Sequence, residues 1–317
     1  MAKENILVIG ANGQIGSVLV TYLRDIYGEN QVVAADLRQP ESETGIFVLL
    51  DATDAQALAR TVRRYGITQI YHLAAILSAN GEKEPLKTWD INMKTYFNVL
   101  EVARESGIQK IFYPSSIAVF GGNITGVAPQ EAALNPSTVY GISKVAGENW
   151  SQYYFNRYGL DIRSLRYPGI ISHQSMPGGG TTDYAVDIYH QAVKGEDFTC
   201  FLESETRLPM IYMDDAIQAT VNLMEADAGR LTVRNSYNLA AMSFSPKEIT
   251  RNIQEYIPDF KVSYQPDFRQ EIANSWPDNL DDSPARTDWG WRASYDLDKT
   301  TREMIGALRK KYQLIKG

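Results

Sequence analysis

The sequence of 317 residues contains little cysteine and little histidine. A single cysteine, Cys200, excludes both an internal disulfide and a structural zinc site built from cysteines. The three histidines, His72, His173 and His190, are scattered and lack the spacing of metal ligands. We therefore predict a protein without a metal site.

Long hydrophobic runs and a strong excess of one charge are also missing. The longest apolar runs, such as residues 46–50, are much shorter than a membrane-spanning helix, and no signal peptide is recognisable at the N-terminus. The net charge of -7 gives no sign of a basic surface for nucleic acid. These observations predict a cytoplasmic protein with no membrane partner and no nucleic-acid partner.

The first half of the chain alternates short β-rich runs with helical patterns of hydrophobic residues. Such alternation predicts an α/β fold in which a doubly wound parallel sheet carries helices on both faces. The predicted strands are residues 6–9, 31–35, 47–50, 69–73, 110–113 and 161–166, and the predicted helices are residues 13–27, 54–65, 89–105 and 138–158.

The pattern changes after Tyr167. Residues 168–180 hold two prolines and four glycines, which is typical of a loop. Shorter elements follow, with an irregular stretch at residues 266–284 and a last helix at 297–312. We predict a first domain of residues 1–168 and a smaller C-terminal lobe of residues 169–317, parts of which return to the first domain.

Three glycines, Gly10, Gly13 and Gly16, lie between the first predicted strand and the first predicted helix. Glycine allows the tight turn and the close approach of a pyrophosphate to the backbone. The free N–H groups at the helix N-terminus would then face the phosphates. This loop predicts dinucleotide binding.

Two acidic residues end the next two strands. Asp36 follows Gly16 by 20 residues, where a carboxylate can accept hydrogen bonds from ribose hydroxyls and repel a 2′-phosphate. That position favours NAD over NADP, although Arg38 could alter the preference. Asp51 could meet the adenine or could instead cap a helix or face solvent.

Tyr140 and Lys144 are four residues apart on a predicted helix, so their side chains share one face. A neighbouring ammonium and a nicotinamide ring would lower the pKa of the tyrosine from its ordinary value of about 10. The phenolate could then accept the proton of an alcohol while hydride leaves for the nicotinamide. Ser116, just after a strand at the carboxyl edge of the sheet, could hold the substrate oxygen.

With these residues and three further segments, the chain resembles the extended short-chain dehydrogenase/reductase family. The further segments are Leu73-Ala74-Ala75, Asn92 and Arg166-Tyr167-Pro168-Gly169. The resemblance implies a Rossmann-type NAD domain, with Tyr140 exchanging the proton, Lys144 on the nicotinamide ribose and Asn92 in a proton-relay and helix-bending position. The cofactor residues that it implies are Gly10, Asn12, Gly13, Gln14, Ile15, Gly16, Asp36, Leu37, Arg38, Asp51, Ala52, Leu73, Ala74, Ala75, Asn92, Tyr140, Lys144, Tyr167 and Ile170.

Several activities within and beside this family remain open. A dehydratase needs an extra acid and base after the active-site serine, but Ile117 and Ala118 occupy those positions. A nucleotide-sugar 4-epimerase usually has an arginine for the pyrophosphate; Arg207 is a candidate, at a spacing that weakens this role. A non-catalytic NAD-binding sensor usually lacks the tyrosine or the lysine, and both are present here.

Longer segments resemble the family members that oxidise L-threonine at C3 with NAD. These segments are residues 73–79, 114–121, 137–144, 177–185, 236–244, 276–277, 281–283 and 288–291. The implied product is L-2-amino-3-oxobutanoate, and the implied assembly is a homodimer formed through helices 89–105 and 138–158.

The substrate residues that this resemblance suggests are polar. Gly180, with its neighbouring glycines, and the hydroxyls of Thr181 and Thr182 could bind a carboxylate. Asp183 could pair with the ammonium, and Ser78 could bridge the substrate. The alternatives are a flexible glycine loop, a helix N-cap at Asp183 and an ordinary turn residue at Ser78.

Overall fold

A computed structural model describes residues 4–40, 45–122, 124–176, 178 and 180–315. Its strands are β1 Ile6–Ile9, β2 Val32–Asp36, β3 Phe47–Leu49, β4 Gln69–His72, β5 Lys110–Ser116, β6 Val127–Ala128, β7 Asp161–Tyr167, β8 Gly169–Ile171, β9 Phe198–Cys200, β10 Leu208–Tyr212, β11 Tyr237–Asn238, β12 Met242–Phe244, β13 Val262–Tyr264 and β14 Asn279–Leu280. Its α-helices are α1 Gln14–Tyr27, α2 Ala55–Tyr65, α3 Ser78–Gly81, α4 Pro85–Ser106, α5 Val139–Tyr158, α6 Tyr184–Lys194, α7 Met213–Glu225, α8 Pro246–Gln254, α9 Arg269–Asn274, α10 Ser283–Trp289 and α11 Leu297–Ile315.

Seven strands form one large sheet in the order β3-β2-β1-β4-β5-β7-β11. Every neighbouring pair in this sheet is parallel. The strand order reverses between β1 and β4, and ligands of open α/β sheets bind at the carboxyl ends of strands at such a point. The predicted doubly wound parallel sheet is confirmed.

The central strands of this sheet are buried on both faces. In β1, Ile6 and Val8 pack into one hydrophobic core, which also contains residues of α1 and α7. Leu7 and Ile9 point to the opposite face and pack with residues of α2 and α4. Alternate side chains of a strand face opposite sides of the sheet, so an entirely apolar strand serves two helical layers.

The C-terminal part has a third core and smaller sheets, one of which has the order β12-β10-β8. The structure of the C-terminal part corrects two predictions made from the sequence. Residues 168–180 are not all loop, because β8 begins at Gly169 and pairs in parallel with β10. The stretch 266–284 contains α9 and β14. Both strands are short, and their partners are distant in sequence, so local composition did not indicate them.

Some segments of the C-terminal half lie against the first. Tyr237–Asn238 is the last strand of the large sheet and pairs with β7. The division of the chain at residue 168 stays a prediction. Among the helices of the described ranges, we find none that is long and apolar enough to span a membrane.

Candidate active site

A cleft opens at the carboxyl ends of β1, β4, β5 and β7. It brings together most of the predicted site residues from both halves of the chain. Those that line it are Gly10, Gly13, Gln14, Ile15, Gly16, Leu73, Ala75, Ser78, Ser116, Tyr140, Lys144, Tyr167, Ile170, Gly180, Thr181, Thr182 and Asp183. The lining does not include Asn12, Asp36, Leu37, Arg38, Asp51, Ala52, Ala74 or Asn92.

The glycine loop packs more closely than any other residue type would permit. Gly10 has a φ of +85°, and a Cβ there would lie 2.8 Å from the backbone nitrogen of Ala74. A Cβ on Gly16 would overlap the carbonyl oxygen of Gly10. No side chain caps the N-terminus of α1 at Gly13. This glycine cradle, in which Gly10 and Gly16 leave no room for a Cβ and the helix N-terminus has no side-chain cap, fits the pyrophosphate of NAD.

Asp36 lies beside the glycine loop at the end of β2. Its Oδ2 accepts a hydrogen bond from the Asn12 backbone N–H (3.0 Å), and its Oδ1 accepts one from the Arg38 N–H (3.4 Å). The Asn12 side chain donates to the Arg38 carbonyl oxygen (2.6 Å). Asp36 therefore sits at the mouth of the cradle, while Leu37 is 68% exposed.

Asp51 and Asn92 lie outside the cleft lining for different reasons. The Asp51 carboxylate accepts the backbone N–H of Thr53 (2.8 Å), as in a local turn. Asn92, buried on α4, accepts from the N–H of Ile76 (2.8 Å) and donates to its carbonyl (3.1 Å). Its amide also reaches the Ser143 hydroxyl (3.4 Å), so Asn92 ties the segment after β4 to both α4 and α5.

Tyr140 and Lys144 project from the first turns of α5. The Thr138 hydroxyl caps this helix by accepting from the Gly141 N–H (3.1 Å). Lys144 Nζ donates to the carbonyl of Pro114 (2.6 Å) and lies 5.4 Å from the centre of the Tyr140 ring. Ser116, whose hydroxyl accepts the N–H of Ala118 (3.2 Å), lies close to Tyr140, so the three predicted catalytic side chains meet in the cleft.

Burial pushes both ionisable groups of the Tyr140–Lys144 pair toward their neutral forms. It raises the pKa of Tyr140 to about 12, although the Ser116 hydrogen bond acts in the opposite direction. It lowers the pKa of Lys144 to about 7, opposed by the carboxylate of Glu148. In the protein without cofactor, removal from water thus outweighs the effect of Ser116, and the lowering of the Tyr140 pKa by Lys144 and a nicotinamide ring stays a prediction.

The far end of the cleft is polar. Thr181 is 1% exposed, and its buried hydroxyl has no hydrogen-bond partner in the described structure. Asp183 occupies the position before α6 but does not cap it; instead its Oδ2 accepts from the Gly180 N–H (2.7 Å). Ser78, 7% exposed, begins α3. Gly179, in the predicted glycine run, lies outside the described residues.

Sequence reasoning missed part of the lining. Trp276, Leu77 and Pro114 also face the cleft. Trp276 lies in the stretch that was predicted to be irregular, so no local period indicated its burial. Arg207, the candidate pyrophosphate ligand, does not line the cleft and forms an ion pair with Glu248 (2.6 Å).

Comparison with known protein families and sequences agrees with a dinucleotide-binding site in this chain. The NAD-dependent epimerase/dehydratase family matches residues 6–240. An uncharacterized epimerase/dehydratase of Staphylococcus aureus is 48% identical over 314 residues, which cover 97% of this chain and 98% of the relative.

Solved structures agree over nearly the whole chain. A partial consensus L-threonine 3-dehydrogenase matches with a TM-score of 0.95 and 53% identity, covering 96% of this chain and 99% of that one. The holo form of an L-threonine dehydrogenase from Cupriavidus necator has a TM-score of 0.94, 52% identity and the same coverage. A monomeric L-threonine 3-dehydrogenase from a metagenome has a TM-score of 0.94 and 47% identity, covering 96% and 99%. With the glycine cradle and the Ser–Tyr–Lys cluster in place, these matches show that the chain belongs to the NAD-dependent epimerase/dehydratase family of extended short-chain dehydrogenases/reductases, with NAD as its cofactor.

Proposed function

We propose that the protein oxidises L-threonine at C3 with NAD, forming L-2-amino-3-oxobutanoate, NADH and a proton. The observation that carries this proposal is the buried, unpartnered hydroxyl of Thr181 in the cleft that Tyr140 and Ser116 line. An unpaired buried hydroxyl is unfavourable, so it indicates a polar ligand there. The similar solved structures are L-threonine dehydrogenases, which supports the same substrate for this protein.

The reaction requires removal of a proton from the C3 hydroxyl and of a hydride from C3. NAD, when bound, supplies the hydride acceptor. Tyr140 is the group that accepts the hydroxyl proton, and Ser116 holds the same oxygen by a hydrogen bond. Lys144 supplies positive charge beside the phenol, which favours its deprotonated form.

Several groups would hold the cofactor. The cradle of Gly10, Gly13 and Gly16 would hold the pyrophosphate, and Asp36 would accept hydrogen bonds from the adenosine ribose. Lys144 would hold the nicotinamide ribose, and Tyr167 and Ile170 would bind the nicotinamide. The remaining residues of the predicted set, among them Asn12 in the glycine loop and Asn92 on α4, would complete the cofactor-binding surface.

The amino-acid end of the substrate meets groups of opposite polarity. We assign the carboxylate to the hydroxyls of Thr181 and Thr182 and the Gly180 region, and the ammonium to Asp183. Because its Oδ2 is already bonded to the Gly180 N–H, Asp183 is held in place for that pairing. Ser78 completes the polar wall.

We also propose that the protein forms a homodimer through α4 and α5. Large apolar side chains on these helices remain exposed in the single chain, among them Leu86 (81%), Tyr153 (49%) and Trp150 (38%). Exposed aromatic groups of this kind are typical of interfaces. We further propose a cytoplasmic location, as the sequence predicted.

A substrate panel tests the function. Purified protein is incubated with NAD and, separately, with L-threonine, 2-butanol and UDP-glucose, while NADH and product are followed. A site built for an ammonium and a carboxylate should prefer L-threonine over 2-butanol by roughly 10⁴ in kcat/KM. Epimerised UDP-sugar without net NADH would select the 4-epimerase. Binding of NAD without turnover of any substrate would select the sensor.

A further inference from the structure

A third ionisable residue lies on the face of α5 that carries Tyr140 and Lys144. Tyr140, Lys144 and Glu148 follow each other at intervals of four residues, so their side chains lie on one helix face. Glu148 does not line the cleft, and its side chain is 1% exposed. A buried carboxylate one turn beyond Lys144 is costly unless it is paired.

Glu148 is paired at both oxygens. Its Oε1 accepts from the Ser115 hydroxyl (2.5 Å) and from Arg166 Nε (2.9 Å), and its Oε2 accepts from Arg166 Nη2 (2.8 Å). Arg166, also 1% exposed, donates further to the carbonyl of Gln130 (3.0 Å) and to Asn238 Oδ1 (3.1 Å). Such a two-pronged contact fixes orientation as well as position.

The contacts join three elements next to the cleft. Ser115 on β5 and Arg166 on β7 are register partners in the parallel sheet. The next register pair, Ser116 and Tyr167, lines the cleft. Glu148 therefore ties two strand ends to α5 at the edge of the site, since Ser115 also lines the cleft and Arg166 directly precedes Tyr167.

The charge of Glu148 also acts on Lys144. Burial lowers the pKa of Lys144, and the Glu148 carboxylate opposes that effect. The other ionisable groups around the ammonium are Tyr140 on α5, Tyr113 on β5 (ring centre 4.7 Å from Nζ) and His72 on β4. From β7, Arg166 acts through its ion pair with Glu148, and from α4, Tyr96 stacks on Tyr113.

We propose that Glu148 is a positioning residue: it holds Ser116 in place through Ser115 and keeps the Lys144 side chain charged beside Tyr140. The proposal rests on the function proposed above only for its kinetic consequence. The protonation state of the Lys144 side chain can be measured without any substrate.

Four variants separate the effect of the Glu148 charge from the effects of its hydrogen bond to β5 and of changes in protein stability. Glu148→Gln removes the charge at constant shape. Glu148→Gln/Arg166→Met removes both charges and serves if the single variant fails to fold. Ser115→Ala breaks the tether to β5 and keeps the ion pair. Asp288→Asn is the matched control, since Asp288 is also a buried, hydrogen-bonded carboxylate but lies on α10 and does not line the cleft.

The first readout is the protonation of Lys144, which lines the cleft and so can meet a small reagent. Trace labelling with acetic anhydride over a range of pH, followed by peptide mass spectrometry, gives the pH of half-maximal reactivity. We expect this midpoint to fall by about one pH unit in Glu148→Gln, and by less in Glu148→Gln/Arg166→Met, which also removes the positive charge of Arg166. It should stay unchanged in Ser115→Ala and Asp288→Asn. An unchanged midpoint in the Glu148 variants would overturn the proposal.

The second readout is kinetic. With L-threonine, kcat should fall about tenfold in Glu148→Gln, since one unit of pKa is a tenfold change in population, while the KM for NAD stays within about twofold. Asp288→Asn should keep a kcat close to the unmodified value. An equal loss in Asp288→Asn would show a merely structural role for Glu148. If the unmodified protein does not oxidise L-threonine, the proposed function fails, and the labelling midpoint still decides the role of Glu148.

Discussion

Tyr140 and Lys144 share the inner wall of the cleft, where removal from water favours the neutral form of each. The positive charges and hydrogen bonds that favour a phenolate must overcome this effect before Tyr140 can accept a proton. Replacing the hydroxyl alone isolates its contribution, since Tyr140 lines the cleft but is not part of the glycine cradle.

Tyr140→Phe should lower kcat for L-threonine at least about a hundredfold, which is the usual scale of general acid–base catalysis. The affinity for NAD, measured by calorimetry, should change little. Ser143→Ala, one turn along the same helix and bonded to the Tyr140 carbonyl, is a control for local perturbation. A Tyr140→Phe enzyme of near-normal activity would refute the assignment of the proton acceptor.

His72 predicts how stability depends on pH. It is fully buried, stacks on Tyr96, and has its pKa lowered by burial to about 3. Below the ordinary pKa of 6.5, the unfolded chain binds a proton that the folded chain rejects. The free energy of unfolding should therefore fall as the pH decreases from about 6.5 to about 3, by up to about 1.4 kcal/mol per pH unit from this group.

Urea unfolding of His72→Gln at several pH values between 4 and 7 tests this point. The variant should lose part of the acid sensitivity, whatever its stability at neutral pH. His173→Gln, at a partly exposed histidine, should flatten the dependence less. Equal slopes for His72→Gln and the unmodified protein would contradict the inferred titration.

At the scale of elements, the sequence predicted the parts of the site that depend on local pattern. A turn between an apolar strand and an amphipathic helix indicates the roles of Gly10, Gly13 and Gly16. The helical repeat predicts that Tyr140 and Lys144 share one face. The pairing of β8 with β10 and the burial of Trp276 depend on contacts distant in sequence. The burial of Tyr140, which raises its pKa in the protein without cofactor, could not be predicted either, because burial is a property of the fold.

The connection between the end of β2 and the glycine loop predicts cofactor choice. Asp36→Ala removes the proposed acceptor for the ribose, and it also removes the hydrogen bond to the Asn12 N–H. The KM for NAD should rise roughly tenfold to a hundredfold, the scale of a hydrogen bond to a charged group. The preference for NAD over NADP should narrow, as measured by the ratio of kcat/KM values.

Asp25→Ala, at an exposed carboxylate on α1, is the control and should leave both constants near their original values. Equal use of NAD and NADP by the unmodified enzyme would show that Arg38, and not Asp36, governs the choice.

At the scale of the whole molecule, the exposed apolar surface of α4 and α5 predicts association. Light scattering coupled to size-exclusion chromatography should give twice the mass of one chain. Tyr153→Lys should shift the protein toward the monomer, because it places a charge on the proposed interface. Phe268→Lys, at an apolar residue that is 63% exposed elsewhere, should leave the dimer intact. A monomer at all concentrations in the unmodified protein would contradict the proposed interface.

The most direct measurement is the stoichiometry of L-threonine oxidation by the unmodified enzyme after exhaustive chelation of metal ions. In the described part of the chain, no three His, Cys, Asp or Glu residues are grouped as metal ligands would be. We predict one NADH and one L-2-amino-3-oxobutanoate for each L-threonine consumed, at a rate unaffected by the chelator. No threonine-dependent NADH would contradict the proposed oxidation, and activity lost on chelation but restored by zinc would contradict the role of Tyr140 and Lys144.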